Sequence, residues 1–312
     1  MNYQEIASTL QFYKNESDVY IPNEIFEDLK DNMKKGSHIP VAYSYYYVVN
    51  WLYRHCKYGN IDIDINKIKE ILGYNKGTRT VDYIFKKDGL LDTMNYTETT
   101  KDFPISWGLD DRNNLEFDML SDQKEEDKLE FTKQMSRKYT IKCPIRALTR
   151  NPDDNDDLDG TFHQRDNTHL IPFEVFMYCM SNEKIGCTGF YLYSFIKMKN
   201  QHFNGKYDCP MEQLAEHIGI PSSTMKPFLS TLRKHNLVEG IHNMEYFCFA
   251  SHDDIRKANS YIANEIDLFS DEEVEFKKLK FISPKEYYQI QEDKRKVEEG
   301  DKIEIPLEML PY

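Results

Sequence analysis

What most constrains the fold of this 312-residue chain is that part of it is written twice. Ile65, Ile68, Leu72 and Gly73 set against Met211, Leu214, Ile218 and Gly219, 146 residues further on. Val81, Ile84, Phe85, Leu90 and Leu91 follow the pattern of Phe228, Thr231, Leu232, Leu237 and Val238 at an offset of 147, with Thr231 the polar exception. Upstream, Tyr45 to Trp51 matches Phe190 to Ile196 at 145, and Ile21 to Phe26 echoes Ile171 to Phe176 at 150. Four blocks in one order at nearly constant spacing mark a duplicated unit rather than chance. At roughly 150 residues per domain the length suits two units, each expected to bury its own core.

In the second copy, Tyr191 to Lys199 reads as a helix, Gly205 as a breaker and Lys206 to Cys209 as a short extended piece. Met211, Leu214, Ala215 and Ile218 then fall on one helical face, and Gly219 closes that helix. Pro221 keeps the chain extended, and Ser222 or Ser223 is placed to cap a helix over Thr224 to Asn236. This helix is expected to bury Met225, Phe228, Leu229 and Leu232 and to turn Lys226, Ser230, Arg233 and Lys234 outward. Leu237 to Ile241 and Glu245 to Phe249 read as a hairpin turning at His242-Asn243. The first copy repeats the order: a short strand at Ile61 to Asp64, helices at Ile65 to Leu72 and Thr80 to Lys87, and a hairpin of Leu90 to Tyr96 with Phe103 to Trp107 around a tip at Thr97 to Asp102.

Helix, short strand, two helices joined by a tight turn, and a hairpin make up the winged helix-turn-helix order. The chain resembles bacterial winged-helix DNA-binding proteins, above all the tandem winged-helix initiators and regulators of plasmids and phages. The resemblance covers Ile21 to Trp107 and Ile171 to Phe249. It is carried by Ile71-Leu72-Gly73-Tyr74 with Gly89-Leu90-Leu91, and by Leu214 to Gly219 with Asn236-Leu237-Val238. It implies a mainly α fold with small β-hairpins (α+β): a first winged-helix domain at 1–110, a charged connecting region at 111–168, a second winged-helix domain at 169–250 and a helical C-terminal extension at 251–312. The implied partner is double-stranded DNA, and the implied role is replication initiation or transcription regulation.

A recognition helix reads DNA with Arg, Lys, Ser, Thr or Asn on its open face, while neighbouring cations hold phosphates. The first copy offers Lys76, Thr78, Arg79, Thr80, Lys86 and Lys87, diluted by Asp82 and Asp88. The second offers Ser222, Ser223, Thr224, Lys226, Arg233 and Lys234, with no acid from Ser222 to Leu237. The second helix is therefore expected to be the stronger DNA contact. Two similar units in one chain can imitate a dimer and present both helices to successive major grooves.

Composition limits the other readings. Hydrophobic residues at 40% and charged residues at 30% suit a soluble globular protein, and no apolar run is long enough to span a bilayer. Met1 to Glu5 lacks the basic start of a secretory signal, so a cytoplasmic protein is expected. A net charge of −13 argues against nonspecific coating of nucleic acid or anionic membrane. Much of that charge lies in Asp153, Asp154, Asp156, Asp157 and Asp159, within a linker-like stretch from Asn151 to Asp166, and between Glu265 and Glu275. The acidic balance supports an alternative in which the winged helices contact proteins.

Catalytic and metal motifs are missing. Cys56, Cys143, Cys179, Cys187, Cys209 and Cys248 form no C-x-x-C pair and read as buried free thiols. Gly73 to Thr78 fails the phosphate-loop pattern, and H-E-x-x-H and G-x-S-x-G do not occur. No cofactor, metal or enzymatic activity is expected. The aromatic run Tyr43, Tyr45, Tyr46, Tyr47, Trp51 and Tyr53 reads as a helix buried through Tyr47, Trp51 and Tyr43 rather than as a base-stacking platform. His163 and His169 with Asp159 read as structural residues, and Gly186 to Gly189 as a turn before a helix. Gln123 to Phe131 is expected to be a charged surface helix, Asp253 to Ile266 a helix, and Ser283-Pro284-Lys285-Glu286 the capped start of another. That last helix, with Tyr287, Tyr288 and Ile290 giving it a partly apolar side, is expected to pack on the second domain, pair with another subunit or bind a partner.

Overall fold

The computed structural model describes residues 1–132, 139–151, 158–251 and 257–300. The chain opens with α1 (Tyr3–Leu10), where Asn2 accepts from the Glu5 amide and the Glu5 carboxylate accepts from the Asn2 amide. These reciprocal bonds satisfy two of the orphan donors of a helix start. β1 (Asp18–Pro22) and α2 (Ile25–Asn32) lead into α3 (Ile39–Arg54). From Ile39 to Tyr53 every residue of α3 is buried. A helix apolar all round needs cover on every side, and α2, β1, a strand from the connecting region and the second half's longest helix supply it.

After α3 come α4 (Ile65–Ile71), capped by Asp64 on the Lys67 amide, then α5 (Asp82–Phe85) and α6 (Leu90–Thr93). The helix expected over Thr80 to Lys87 is a single turn, and Ile61 to Asp64 is not a strand. Leu90 to Tyr96, expected as a strand, begins instead with α6. The reason is Asp92, which accepts from Lys142 Nζ at 2.6 Å, Thr97 Oγ1 at 2.6 Å and Thr99 Oγ1 at 2.9 Å. Those bonds pin α6 across β2 (Glu98–Thr100), which pairs with β5 (Ile141–Cys143). Between them, β3 (Pro104–Leu109) and β4 (Leu115–Met119) form their own hairpin, followed by the charged helix α7 (Glu125–Thr132). α8 (Ile145–Leu148) follows β5. Asp153, Asp154, Asp156 and Asp157 lie outside the described residues.

The second half runs β6 (Thr168–Pro172), α9 (Phe173–Ser181), α10 (Gly186–His202), β7 (Tyr207–Cys209), α11 (Met211–Ile218) and α12 (Ser222–Lys234). Gly219 closes α11 at φ 69°, in the left-handed region that favours glycine. β8 (Val238–Ile241) does not pair with Glu245 to Phe249. Its partner is β10 (Asn259–Ala263), which also pairs with β7, giving the antiparallel order β7-β10-β8. Residues 259–263 were expected to be helical. They are drawn into the sheet because the Asn200 side chain on α10 donates to the Tyr261 carbonyl and accepts from the Ala263 amide, a surrogate strand edge. β9 (Tyr246–Phe247) pairs in parallel with β11 (Lys280–Phe281). α13 (Pro284–Gly300) starts as expected, with Ser283 Oγ accepting from the Glu286 amide. Its Tyr287 packs with Cys248 and Ile282 in a small separate cluster.

The expectation of two separate cores does not hold. One apolar cluster runs from Ile6 in α1 to Ala263 in β10 and includes both α3 and α10. β1 pairs antiparallel with β6, centred on Tyr20 opposite Leu170. Val19 faces Ile171 and Ile21 faces His169, so residues aligned by the repeat exchange places across the ribbon. Phe26 packs on Tyr191 and Phe195 of the other half, while Phe176, its counterpart, packs on Tyr47. Trp51 stacks on Phe173 with centroids 4.1 Å apart. The expected burial of Tyr43, Tyr47 and Trp51 extends to Tyr45, Tyr46 and Tyr53 because α3 lies between the two halves. All six cysteines are free thiols, five of them buried. No helix among the described residues is long and apolar enough to cross a membrane.

Candidate nucleic-acid interface

α12 starts at Ser222 because Pro221 sits extended at φ −53°, ψ 138° and the following residues turn helical. Neither serine caps the helix, and Ser222 Oγ is buried with no hydrogen-bond partner. Ser223 and Lys226 are exposed and Thr224 is half-buried. Lys226 Nζ stands 3.7 Å from Glu212.

The C-terminal turn of α12 is occupied from within. Arg233 donates to the carbonyls of Gly240 and Lys277 at 3.0 and 3.1 Å, and its guanidinium lies 4.0 Å over the Phe276 ring. Lys234 pairs with Glu273 at 2.8 Å, and Lys184 meets the other oxygen of the same carboxylate at 2.7 Å. The two lysines hold the Glu273 carboxyl well down, at about 2. The absence of acids within α12 is thus offset by an acidic segment 39 residues beyond Lys234.

The first half presents its cations differently. Lys69 on α4 is buried, donating to the Thr78 carbonyl and the Asp82 carboxylate. That ties down the turn between α4 and α5 and neutralises Asp82, one of the two acids that diluted this copy. Lys76, Arg79, Thr80, Lys86 and Lys87 are exposed and Thr78 is half-buried. Gly89 lets the chain turn sharply behind them, since a Cβ there would stand 2.6 Å from the Tyr83 carbonyl oxygen.

Contacts across the molecule join these regions. Tyr83 on α5 bonds His38 Nδ1 at 2.9 Å. Burial, with Lys35 nearby, keeps the His38 imidazole below its usual range, so it is neutral at neutral pH. Two residues earlier, Gly36 lies against the Gly219 carbonyl, where a Cβ would approach to 2.6 Å, and against Pro221 at the start of α12. The α5 turn, the loop carrying Lys34 and Lys35, and the N-terminal turn of α12 are therefore consecutive neighbours. Lys34 and Lys35 were not singled out from sequence; only the packing of Gly36 on the α11–α12 turn brings them to this site. Lys34, Lys35, Lys76, Arg79, Lys86 and Lys87 have no carboxylate within ion-pair distance among the described residues. Such cations suit phosphate oxygens.

His169 is a core residue, bonded to Tyr43 Oη at 2.7 Å and to Asn23. Among the described residues no cluster of His, Cys, Asp and Glu is arranged to hold a metal ion. No protein-family model, no curated protein and no solved structure matches the chain.

Proposed function

We propose that the chain is a site-specific double-stranded DNA-binding protein, a replication initiator or transcription regulator without catalytic activity. In this reading two winged-helix units are joined back to back as an internal pseudo-dimer. The observation that carries it is the group of six cations around α5 that have no ion-pair partner among the described residues, contiguous through His38 and Gly36 with the polar start of α12. Among the described residues, ion-pair partners are supplied to the cations the fold uses internally, Lys69, Lys142 and Lys57, and not to these. The overall charge of −13 does not oppose this, because affinity follows the local potential of the contacting surface.

The reciprocal β1–β6 pairing supports the pseudo-dimer, since a two-fold protein matches a pseudo-palindromic duplex. Lys76, Arg79, Lys86 and Lys87 are assigned to phosphates, and Ser223 and Thr224 to the groove. The direct experiment is selection of bound duplexes from a random library. An enriched, roughly two-fold symmetric sequence is expected; recovery of no preferred duplex contradicts the reading.

A rival reading, a protein-interaction module, draws on a different surface. Phe281 and Tyr288, at the β11–α13 end, are 69% and 62% exposed. Capture of a protein partner that is lost on mutating these two residues, with no duplex enriched, would favour it.

A further inference from the structure

One stretch of this acidic chain is basic. From Phe276 to Lys285 it carries four lysines and no acid, against a net charge of −13 for the whole. Lys277, Lys278 and Lys285 are exposed and have no ion-pair partner among the described residues. Lys280 pairs with Glu286 at 2.9 Å, yet 68% of its side chain is exposed. The same stretch contains β11, whose pairing with β9 makes a ribbon with two unlike faces. Tyr246, Cys248 and Ile282 pack with Tyr287 and Ile290 of α13. Strand side chains alternate, so Phe247 and Phe281, opposite each other in register, take the other face. Their ring centroids are 5.4 Å apart, and Phe249 sets its ring perpendicular to that of Phe247 at 5.1 Å. Phe249 and Phe281 are 81% and 69% exposed.

Charge and ring chemistry together select what this face recognises. The cores of protein–protein contacts are depleted in lysine, whereas here lysines flank the rings in sequence. A polyanion meets the lysines, but the base faces of a duplex are hidden in its stack, where exposed rings cannot reach them. A single strand offers phosphates and unstacked bases at once, and every base has a flat face on which an aromatic ring can lie.

We propose that the face carrying Phe247, Phe249 and Phe281 binds single-stranded nucleic acid. Bases stack on the exposed rings of Phe249 and Phe281, and Lys277, Lys278 and Lys285 hold the phosphates of the same strand. Both rings touch Phe247, so bases close together along one strand reach them both. The stacking platform is thus this ribbon and not the aromatic run of α3, whose rings are buried. The site does not rest on the duplex reading, which uses none of these residues.

The test is fluorescence anisotropy of the full chain with labelled oligothymidylate and oligouridylate of about twelve nucleotides. An abasic oligomer of the same length and cosedimentation with phosphatidylserine–phosphatidylcholine vesicles are the controls. Saturable binding of oligothymidylate assigns single-stranded DNA, and of oligouridylate alone single-stranded RNA, in either case about tenfold or more tighter than the abasic oligomer. Phe281→Leu keeps apolar bulk but removes the flat ring and is expected to weaken binding about fivefold or more, while Phe281→Tyr retains it. Lys278→Gln with Lys285→Gln is expected to flatten the slope of log affinity against log salt by about 0.7 per lost contact, and carries the test should the Phe281 variants fail to fold. Replacing Arg79, Lys86 and Lys87 by Ala leaves strand binding unchanged, which separates this site from the duplex surface. Equal affinity for the abasic oligomer, unchanged affinity in Phe281→Leu, or loss of strand binding through Arg79, Lys86 and Lys87 would overturn the proposal. So would binding of vesicles or of a protein partner at this face with neither oligonucleotide bound.

Discussion

Tyr20 stands opposite Leu170 at the centre of the β1–β6 ribbon, and the pairing on either side of it is reciprocal: Val19 to Ile171, Ile21 to His169. Ile21 and Ile171, set against each other when the two halves of the sequence are aligned, thus hold reciprocal places across the ribbon. Each half therefore completes the other's core. A unit cut at the connecting region would leave α3 or α10 with an uncovered face.

That dependence predicts cooperative unfolding. Phe173→Ala removes the ring against which Trp51 stacks and is expected to cost about 3–5 kcal/mol. Denaturant titration followed by tryptophan fluorescence and by far-UV circular dichroism is expected to give one coincident transition for wild type and variant alike. Separate transitions would mean that the halves fold independently.

Acid is expected to destabilise the fold through His169. Burial away from water, which penalises the charged ring, holds its pKa at about 3, against about 6.5 in the unfolded chain. Since the folded value is the lower one, this contribution is complete above pH 6.5 and is lost as pH falls toward 3, by at most about 1.4 kcal/mol per pH unit. His169→Gln should be less stable than wild type at pH 7.5 yet show a shallower decline between pH 6.5 and 4. A parallel decline would remove His169 from the acid response.

The end of α12 yields a contrast between neighbours. Arg233→Ala strips two carbonyl bonds and the stacking on Phe276, so it is expected to cost about 1–3 kcal/mol of stability. Lys234→Ala, on an exposed pair, should change neither stability nor duplex affinity by more than about twofold. Glu273→Gln releases Lys184 and Lys234 and is expected to raise duplex affinity and steepen its salt dependence. Unchanged affinity and an unchanged salt slope in Glu273→Gln would show that these lysines do not face DNA.

Much of the fold was legible from residue patterns. α11 with its Gly219 cap and the Ser283 cap of α13 follow from local periodicity and capping chemistry, while α12 begins two residues before the expected Thr224 and without the expected serine cap. What escaped was decided by distant partners. Asp92 looks like a polar residue within a strand until Lys142, 50 positions away, makes it the anchor of a helical turn. Residues 259–263 look helical until Asn200 offers them a strand edge. The candidate site shows the same divide. Sequence named the cations of both copies, but only the fold reveals that Arg233 and Lys234 are engaged internally while Lys34 and Lys35 join the open group.

The most direct test of the DNA-binding account is a fluorescence anisotropy titration, over a range of salt concentrations, of a selected duplex with wild type and with an Arg79→Ala, Lys86→Ala, Lys87→Ala triple variant. If the three side chains neutralise phosphates, the variant binds more weakly at every salt concentration. Its slope of log affinity against log salt is shallower by about 0.9 per lost contact. The triple variant should unfold at the same denaturant concentration as wild type, since all three side chains are exposed. Equal affinity and equal slope in a folded triple variant would contradict the assignment of this surface to DNA.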